Sequence, residues 1–214
     1  RSVLGACALF LTMTAGRGQE PAAEMADRHV EQERLWGTLQ KLGEFGKNPE
    51  GGVSRVGFTD ADLAGRSYVM ELMREARLEV RVDAAGNIFG RRAGTEQLPV
   101  LICGSHIDSV PHGGNFDGDV GSLGALEVIR ALNDHKVKTR HALEVVIWTN
   151  EEGGRFYAGL FGSSAAAGIM AADVGERKDD AGEKLSDWLR RMGGDASRIK
   201  EARILPGSVA GYVE

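Results

Sequence analysis

The chain has 214 residues, 42% of them hydrophobic, which suffices for the core of one domain or for part of a larger one and excludes a disordered chain. Its 31 acidic residues outnumber 26 basic ones, for a formal net charge of -5, so it lacks the basic excess that a nucleic-acid surface needs, and no nucleic-acid partner is expected. Glycine supplies 30 residues, about twice the ordinary share of roughly 7%, which points to many tight turns and close backbone approaches.

In chain order, Arg1 is followed by an apolar run from Val3 to Gly16 and then by Arg17-Gly18-Gln19-Glu20-Pro21. That pattern reads as a secretory signal over residues 1–18 with a linker over 19–26, and it predicts an exported protein, periplasmic or secreted. The run falls short of the about 20 apolar residues that a bilayer span requires, so no membrane span is expected. Leu4-Gly5-Ala6-Cys7 resembles a lipoprotein signal box, which makes a lipid anchor through Cys7 the alternative. Cleavage after the run removes Cys7 and leaves Cys103 alone, so no intramolecular disulfide is expected.

Val30, Leu35, Leu39 and Leu42 recur at amphipathic-helix spacing within residues 27–46. After a glycine-rich loop up to Val53, Thr59 is placed to cap a second helix running through Leu63, Tyr68, Leu72 and Met73 to Arg77. Asp60 and Asp62 fall in its first turn, where carboxylates favour the helix dipole. Leu78 to Val82 alternates as a strand, Ala84-Ala85-Gly86-Asn87 turns, and Ile88 to Arg91 returns to close a hairpin. Leu98 to Cys103 is a continuous apolar run of the kind buried on both faces of a sheet, and it leads into a polar loop over 104–118. Gly121 to Leu132 reads as a helix, and Leu143 to Thr149 as a second buried strand ending on Asn150-Glu151-Glu152. Two polar helices are predicted around 183–192 and 196–202, and Ser208 to Glu214 opens another strand. Strands separated by a helix predict a layered α/β domain.

His106 and Asp108 stand two apart just beyond a buried strand, and in extended backbone such residues point to the same side. One division of labour has His106 hold a metal through one ring nitrogen while Asp108 accepts a hydrogen bond from the other. The alternative is a loop histidine paired with an aspartate. Asp117 follows Gly113-Gly114-Asn115-Phe116 and precedes Gly118, and by itself it reads as an N-cap. Glu151 and Glu152 change that reading, because they close the next buried strand, and open α/β sheets place their sites at such strand ends. Adjacent acids repel, so carboxylates gathered near a histidine make sense if cations occupy the space between them. Oxygen and imidazole donors without thiolate suit zinc, manganese or cobalt, and Cys103, inside its strand, is read as buried filler. Gly118, Gly121 and Gly124 do not follow a strand in a nucleotide-binding pattern and are read as close helix packing.

Three motifs, in order, carry a family resemblance. Gly104-Ser105-His106-Ile107-Asp108-Ser109-Val110-Pro111, Gly113-Gly114-Asn115-Phe116-Asp117-Gly118 and Thr149-Asn150-Glu151-Glu152-Gly153-Gly154-Arg155-Phe156 resemble the amidase/hydantoinase branch of the zinc aminoacylase and carboxypeptidase-like metallohydrolases. That branch includes N-carbamoyl-L-amino-acid hydrolases, allantoate amidohydrolases and β-ureidopropionase-type enzymes, and the resemblance runs from about Glu33 to Glu214. It implies a layered α/β/α, zinc-peptidase-like catalytic domain, with residues 27–214 as its N-terminal part, incomplete at the C-terminal side. It also implies hydrolysis of a linear C–N amide or ureido bond in a small-molecule substrate.

Residue by residue, the resemblance implies that His106 binds one of two divalent metal ions, Asp117 bridges both, and Glu152 binds the second. Glu151 is implied as general base and Asp108 as the orienter of His106. Asp119 departs from the small or apolar residue expected there, and it is read as a first-turn acid of the following helix, with a disturbed metal site as the alternative. A His-x-Glu-Gln-Gly-Pro motif, a dimerisation domain and a final histidine ligand are implied beyond Glu214, so the full-length protein is expected to be a homodimer and this stretch alone to hold its metals weakly. Two other readings stand beside this one: a related aminopeptidase or aminoacylase, and a non-catalytic binding module of the same fold. Retention of His106 with Asp108, Asp117, Glu151 and Glu152 argues against the second.

Overall fold

The computed structural model describes residues 29–214, so the signal reading of 1–18, the linker and Cys7 lie outside the described residues. Among the described residues no helix is long and apolar enough to cross a membrane. Helix α1 (Gln32–Leu42) turns Leu39 and Leu42 into the core. Helix α2 (Asp60–Glu75) starts where the sequence places its cap, with the Thr59 hydroxyl accepting from the Asp62 amide. Strands β1 (Glu79–Val82) and β2 (Ile88–Arg92) form the expected hairpin, its turn held by the Asp83 carboxylate, which accepts the Ala85 and Asn87 amides.

Strand β3 (Val100–His106), helix α3 (Asp119–Asp134) and strand β4 (Leu143–Trp148) make a crossover unit, followed by the short helices α4 (Phe161–Ala166) and α5 (Leu185–Arg191) and by strand β5 (Val209–Val213). Ala196–Ala202 is a kinked 3₁₀ segment instead of a polar α-helix. Helix α4 escapes sequence reading because Phe161-Gly162-Ser163-Ser164-Ala165-Ala166 is too short and too small in side chain to show a period.

The sheet runs β1-β2-β4-β3-β5, with β3 parallel to both neighbours and β1 and β2 antiparallel. Strand β3 continues past the predicted Cys103 as far as His106. Gly104 allows this: at φ +146 it lies so close to β4 that a Cβ there would stand 2.0 Å from the Val146 carbonyl oxygen. Alternation along β4 sends Val145 and Ile147 into a core with residues of α1, α2 and α3, and sends Val146 and Trp148 to the other face with Phe89 and Ala166 of α4. Helices therefore cover both faces of the sheet, as an α/β/α arrangement requires.

Between α1 and α2 the chain buries Arg55, 1% exposed, at the point where three segments meet. Its Nε donates to the Ile107 carbonyl at 2.5 Å, its Nη1 to the Leu42 and Phe45 carbonyls at 2.8 and 3.1 Å, and its Nη2 to both carboxylate oxygens of Asp119 at 2.9 and 2.6 Å. All five guanidinium N–H donors thus find acceptors, which is what allows the charge to be buried. The guanidinium stem passes so close to α2 that a Cβ at Gly65 would stand 2.8 Å from Arg55 Cδ. Asp119 is the first residue of α3, as expected of a first-turn acid, but its role is to neutralise Arg55 at the base of the loop that carries Asp117.

Removing one partner of such a pair leaves the other charged and buried, at a cost of about 3–5 kcal/mol. Asp119→Ala should lower the unfolding free energy by that order in urea titration, whereas Glu201→Ala, which breaks the exposed pair with Arg198, should leave it unchanged within error. Equal stability of Asp119→Ala and the parent chain would refute the assignment.

Candidate metal centre

His106 is the last residue of β3, and Glu151 and Glu152 follow the end of β4, the adjacent parallel strand, whose Trp148 pairs in register with His106. Both sets of side chains therefore emerge at the same C-terminal edge of the sheet. One donor atom from each of His106, Glu151 and Glu152 lies within 4.8 Å of the others, and His106 Nε2 is 3.7 Å from Glu151 Oε2.

Asp108 joins the two strand ends in a way its spacing did not suggest. Its backbone carbonyl, not its side chain, meets His106 Nδ1, at 2.9 Å, while carboxylate Oδ1 stands 3.9 Å from that nitrogen. The carboxylate instead accepts the Glu151 and Glu152 amides, each at 3.1 Å. The reason is complementary need: two consecutive N–H groups have left the sheet ladder, and a carboxylate only 2% exposed requires donors. Burial pushes the Asp108 carboxyl above its ordinary range, while His106 and the two amides oppose that shift.

Burial also raises the Glu152 carboxyl; His106 pulls it down, and Asp117, Glu151 and Asp108 push it further up. Crowded acids of this kind, with imidazole nitrogen and carboxylate oxygen as donors and no thiolate among them, fit a divalent cation. Cys103 is half-buried with Sγ 3.8 Å from the Glu144 carbonyl oxygen, away from these donors.

Asp117 is exposed and lies outside the three-residue donor group, although it is near enough to act on Glu152. It is not the cap of α3. Gly118 occupies that position at φ +67, and the Asp117 carbonyl accepts the Asp119 amide at 2.7 Å. A Cβ at Gly118 would stand 2.5 Å from His106 Cε1, so this glycine gives the imidazole its space. Gly121 likewise packs against Ser105, where a Cβ would come to 2.9 Å of the Ser105 Cβ, but Gly124 faces open space and is not explained by packing.

Sequence reasoning passed over Arg55 and read Asn87 only as a turn residue. Asn87 Oδ1 accepts the Thr149 amide at 3.0 Å and its Nδ2 donates to the Gly162 carbonyl at 3.1 Å, so the hairpin turn braces the end of β4. The only available signal was the Asp83-to-Asn87 turn itself; nothing in the sequence distinguishes a buried arginine from a surface one.

Gly118→Ala should displace the imidazole, both through the close approach and through the positive φ. Zinc affinity, read by competition with a chelator, should fall by about tenfold or more, the scale on which disturbed ligand orientation acts. Unchanged affinity would show that the ring does not depend on this glycine.

A family model described as Peptidase family M28 matches residues 87–179. The N-carbamoyl-L-amino acid amidohydrolase of Geobacillus stearothermophilus is 45% identical over 186 residues, covering 86% of this chain and 46% of that protein. The allantoate amidohydrolase of Bacillus subtilis is 33% identical over 157 residues, 72% of this chain and 38% of the relative. A hydantoinase/carbamoylase family amidase from Burkholderia ambifaria superposes with a TM-score of 0.79 at 39% identity, over 86% of this chain and 44% of that one. The chain thus spans less than half the length of these relatives.

Proposed function

The chain is a homologue of the hydantoinase/carbamoylase amidases, and on that footing we propose that it supplies the metal-binding part of a hydrolase that cleaves a linear C–N amide or ureido bond. The substrate class is a small molecule such as an N-carbamoyl amino acid or allantoate. The observation that carries this reading is the convergence of His106, Glu151 and Glu152 at one edge of the sheet.

Two divalent cations, zinc or else manganese or cobalt, would supply a lowered water pKa and a polarised substrate carbonyl when bound. His106 and Glu152 would hold the cations from the strand ends, with Asp117, on its exposed loop, as the further carboxylate donor. Glu151 takes the proton of the attacking water and returns it to the leaving nitrogen. Its backbone is held by Asp108 and its Oε2 stands 3.7 Å from His106 Nε2, so the base is positioned beside the ligand set. Asp108 serves as the positioning group, holding His106 through its carbonyl and the acid pair through its carboxylate. The family resemblance makes the full-length protein a homodimer, and the signal-like pattern of residues 1–18 makes it an exported one, with a lipid anchor through Cys7 as the alternative.

The match to a peptidase family over residues 87–179 favours a second reading, an aminopeptidase or aminoacylase. Assays of the full-length protein on N-carbamoyl amino acids and allantoate beside dipeptides and N-acyl amino acids separate the two. Preference for the ureido compounds supports the first, and preference for dipeptides or N-acyl amino acids overturns it.

The two acids should separate by their effects. Glu151→Gln keeps the side chain's shape but cannot take a proton, so turnover should drop by about 100-fold or more with metal content near that of the parent. Glu152→Gln should lose metal, measured by elemental analysis after dialysis. If both variants kept metal equally and both stayed active, the assignment of roles would fail.

A further inference from the structure

Glu151 and Glu152 are neighbours in sequence, and in a continued strand their side chains would point to opposite faces. Both nonetheless reach His106. The residue that interrupts the strand is Asn150, which lies directly before them at φ +50, in the left-handed region that side chains other than glycine and asparagine rarely adopt. It is 1% exposed. Its Nδ2 donates to the Ala158 carbonyl at 2.9 Å and to the Arg155 carbonyl at 3.3 Å, which draws the 153–158 loop back under the acid pair. Its Oδ1 is buried with no hydrogen-bond partner, and it lies over Gly57, where a Cβ would stand 2.3 Å away. A buried residue held in a sparsely populated backbone region by its own side-chain bonds is an arrangement that persists where the surroundings impose it.

We propose that Asn150 is a positioning residue that turns the chain off β4, so that the Glu151 and Glu152 amides both reach the Asp108 carboxylate and their side chains both face His106. It acts through backbone direction and touches neither substrate nor metal. The metal consequence rests on the reading given under Proposed function, whereas the backbone consequence does not.

The test compares Asn150→Gly, which keeps the left-handed backbone and loses the amide group, with Asn150→Ala, which loses both. Amide hydrogen exchange at Glu151 and Glu152 reads the turn without metal, and zinc titration against a chelator reads its effect on the site. Asn150→Ala should exchange those two amides about tenfold faster than the parent and bind zinc about tenfold more weakly, while Asn150→Gly stays within about threefold of the parent in both. If Asn150→Ala proves too unstable to measure, Asn150→Ser, which meets the same left-handed restriction, takes its place. Parent-like protection in the alanine or serine variant would overturn the proposal, as would a glycine variant that exchanges as fast as alanine. A full-length parent protein that binds no zinc would sink the metal reading while leaving the exchange result to decide the role of Asn150.

Discussion

The whole site depends on how one buried cation is satisfied. Arg55 sits with all its donors engaged, and its acceptors belong to segments far apart in sequence: the end of α1 with the turn after it, the residue between His106 and Asp108, and the first turn of α3. Its own backbone joins in, since Arg55 N donates to Ser109 Oγ and the Ser109 amide donates to the Arg55 carbonyl, both at 3.0 Å. A buried guanidinium tolerates no slack, because each unmatched donor costs as much as a lost hydrogen bond. The loop from Ile107 to Ser109 is therefore held in one place, and with it the carbonyl that orients His106.

A second level of order is built on that first one. Asp108, fixed between Ile107 and Ser109, offers its carbonyl to one strand end and its carboxylate to the other, so a single residue sets the distance between imidazole and acid pair. Asn87 and Asn150 then act on β4 from its own side, the first by holding the Thr149 amide and the second by redirecting the chain that follows. Ligand-type side chains are thus supported by backbone contacts throughout, which is how a rigid cluster of like charges can be kept together before any counter-charge arrives.

Much of this was legible in the sequence, and the division between what was and was not is physical. Continuous apolar runs located the two buried strands, with a helix read between them, and the Thr59 cap fell where its residue type requires. His106, Glu151 and Glu152 could be picked out because strand ends in open sheets gather chemistry, and their convergence follows from β3 and β4 being parallel neighbours. The extent of β3 was underestimated because Gly104-Ser105-His106 is polar, while its pairing depends on a glycine's close approach that leaves no mark on hydropathy. The use of Asp108 could not be inferred from spacing, since spacing specifies which side a residue faces and not whether carbonyl or carboxylate makes the bond. Arg55, paired with an acid 64 residues away, is invisible to any local pattern.

The crossover from β3 through α3 to β4 also bears on when the site comes into being. Asp108 meets Glu151 and Glu152 across 43 and 44 residues of chain, and Arg55 meets Asp119 across 64, so the contacts that join the two strand ends and anchor the loop between them each close a long loop. Loop closure of this length must be completed before the contact rewards it, and parallel pairing has no hairpin to shorten the search. The early hairpin of β1 and β2 and the helices can form from neighbouring residues, but the histidine and the acids come together only once β4 has docked beside β3. An ion captured there would be bound by the finished domain and hardly at all by its precursors, and its binding would then draw the folding equilibrium forward by mass action.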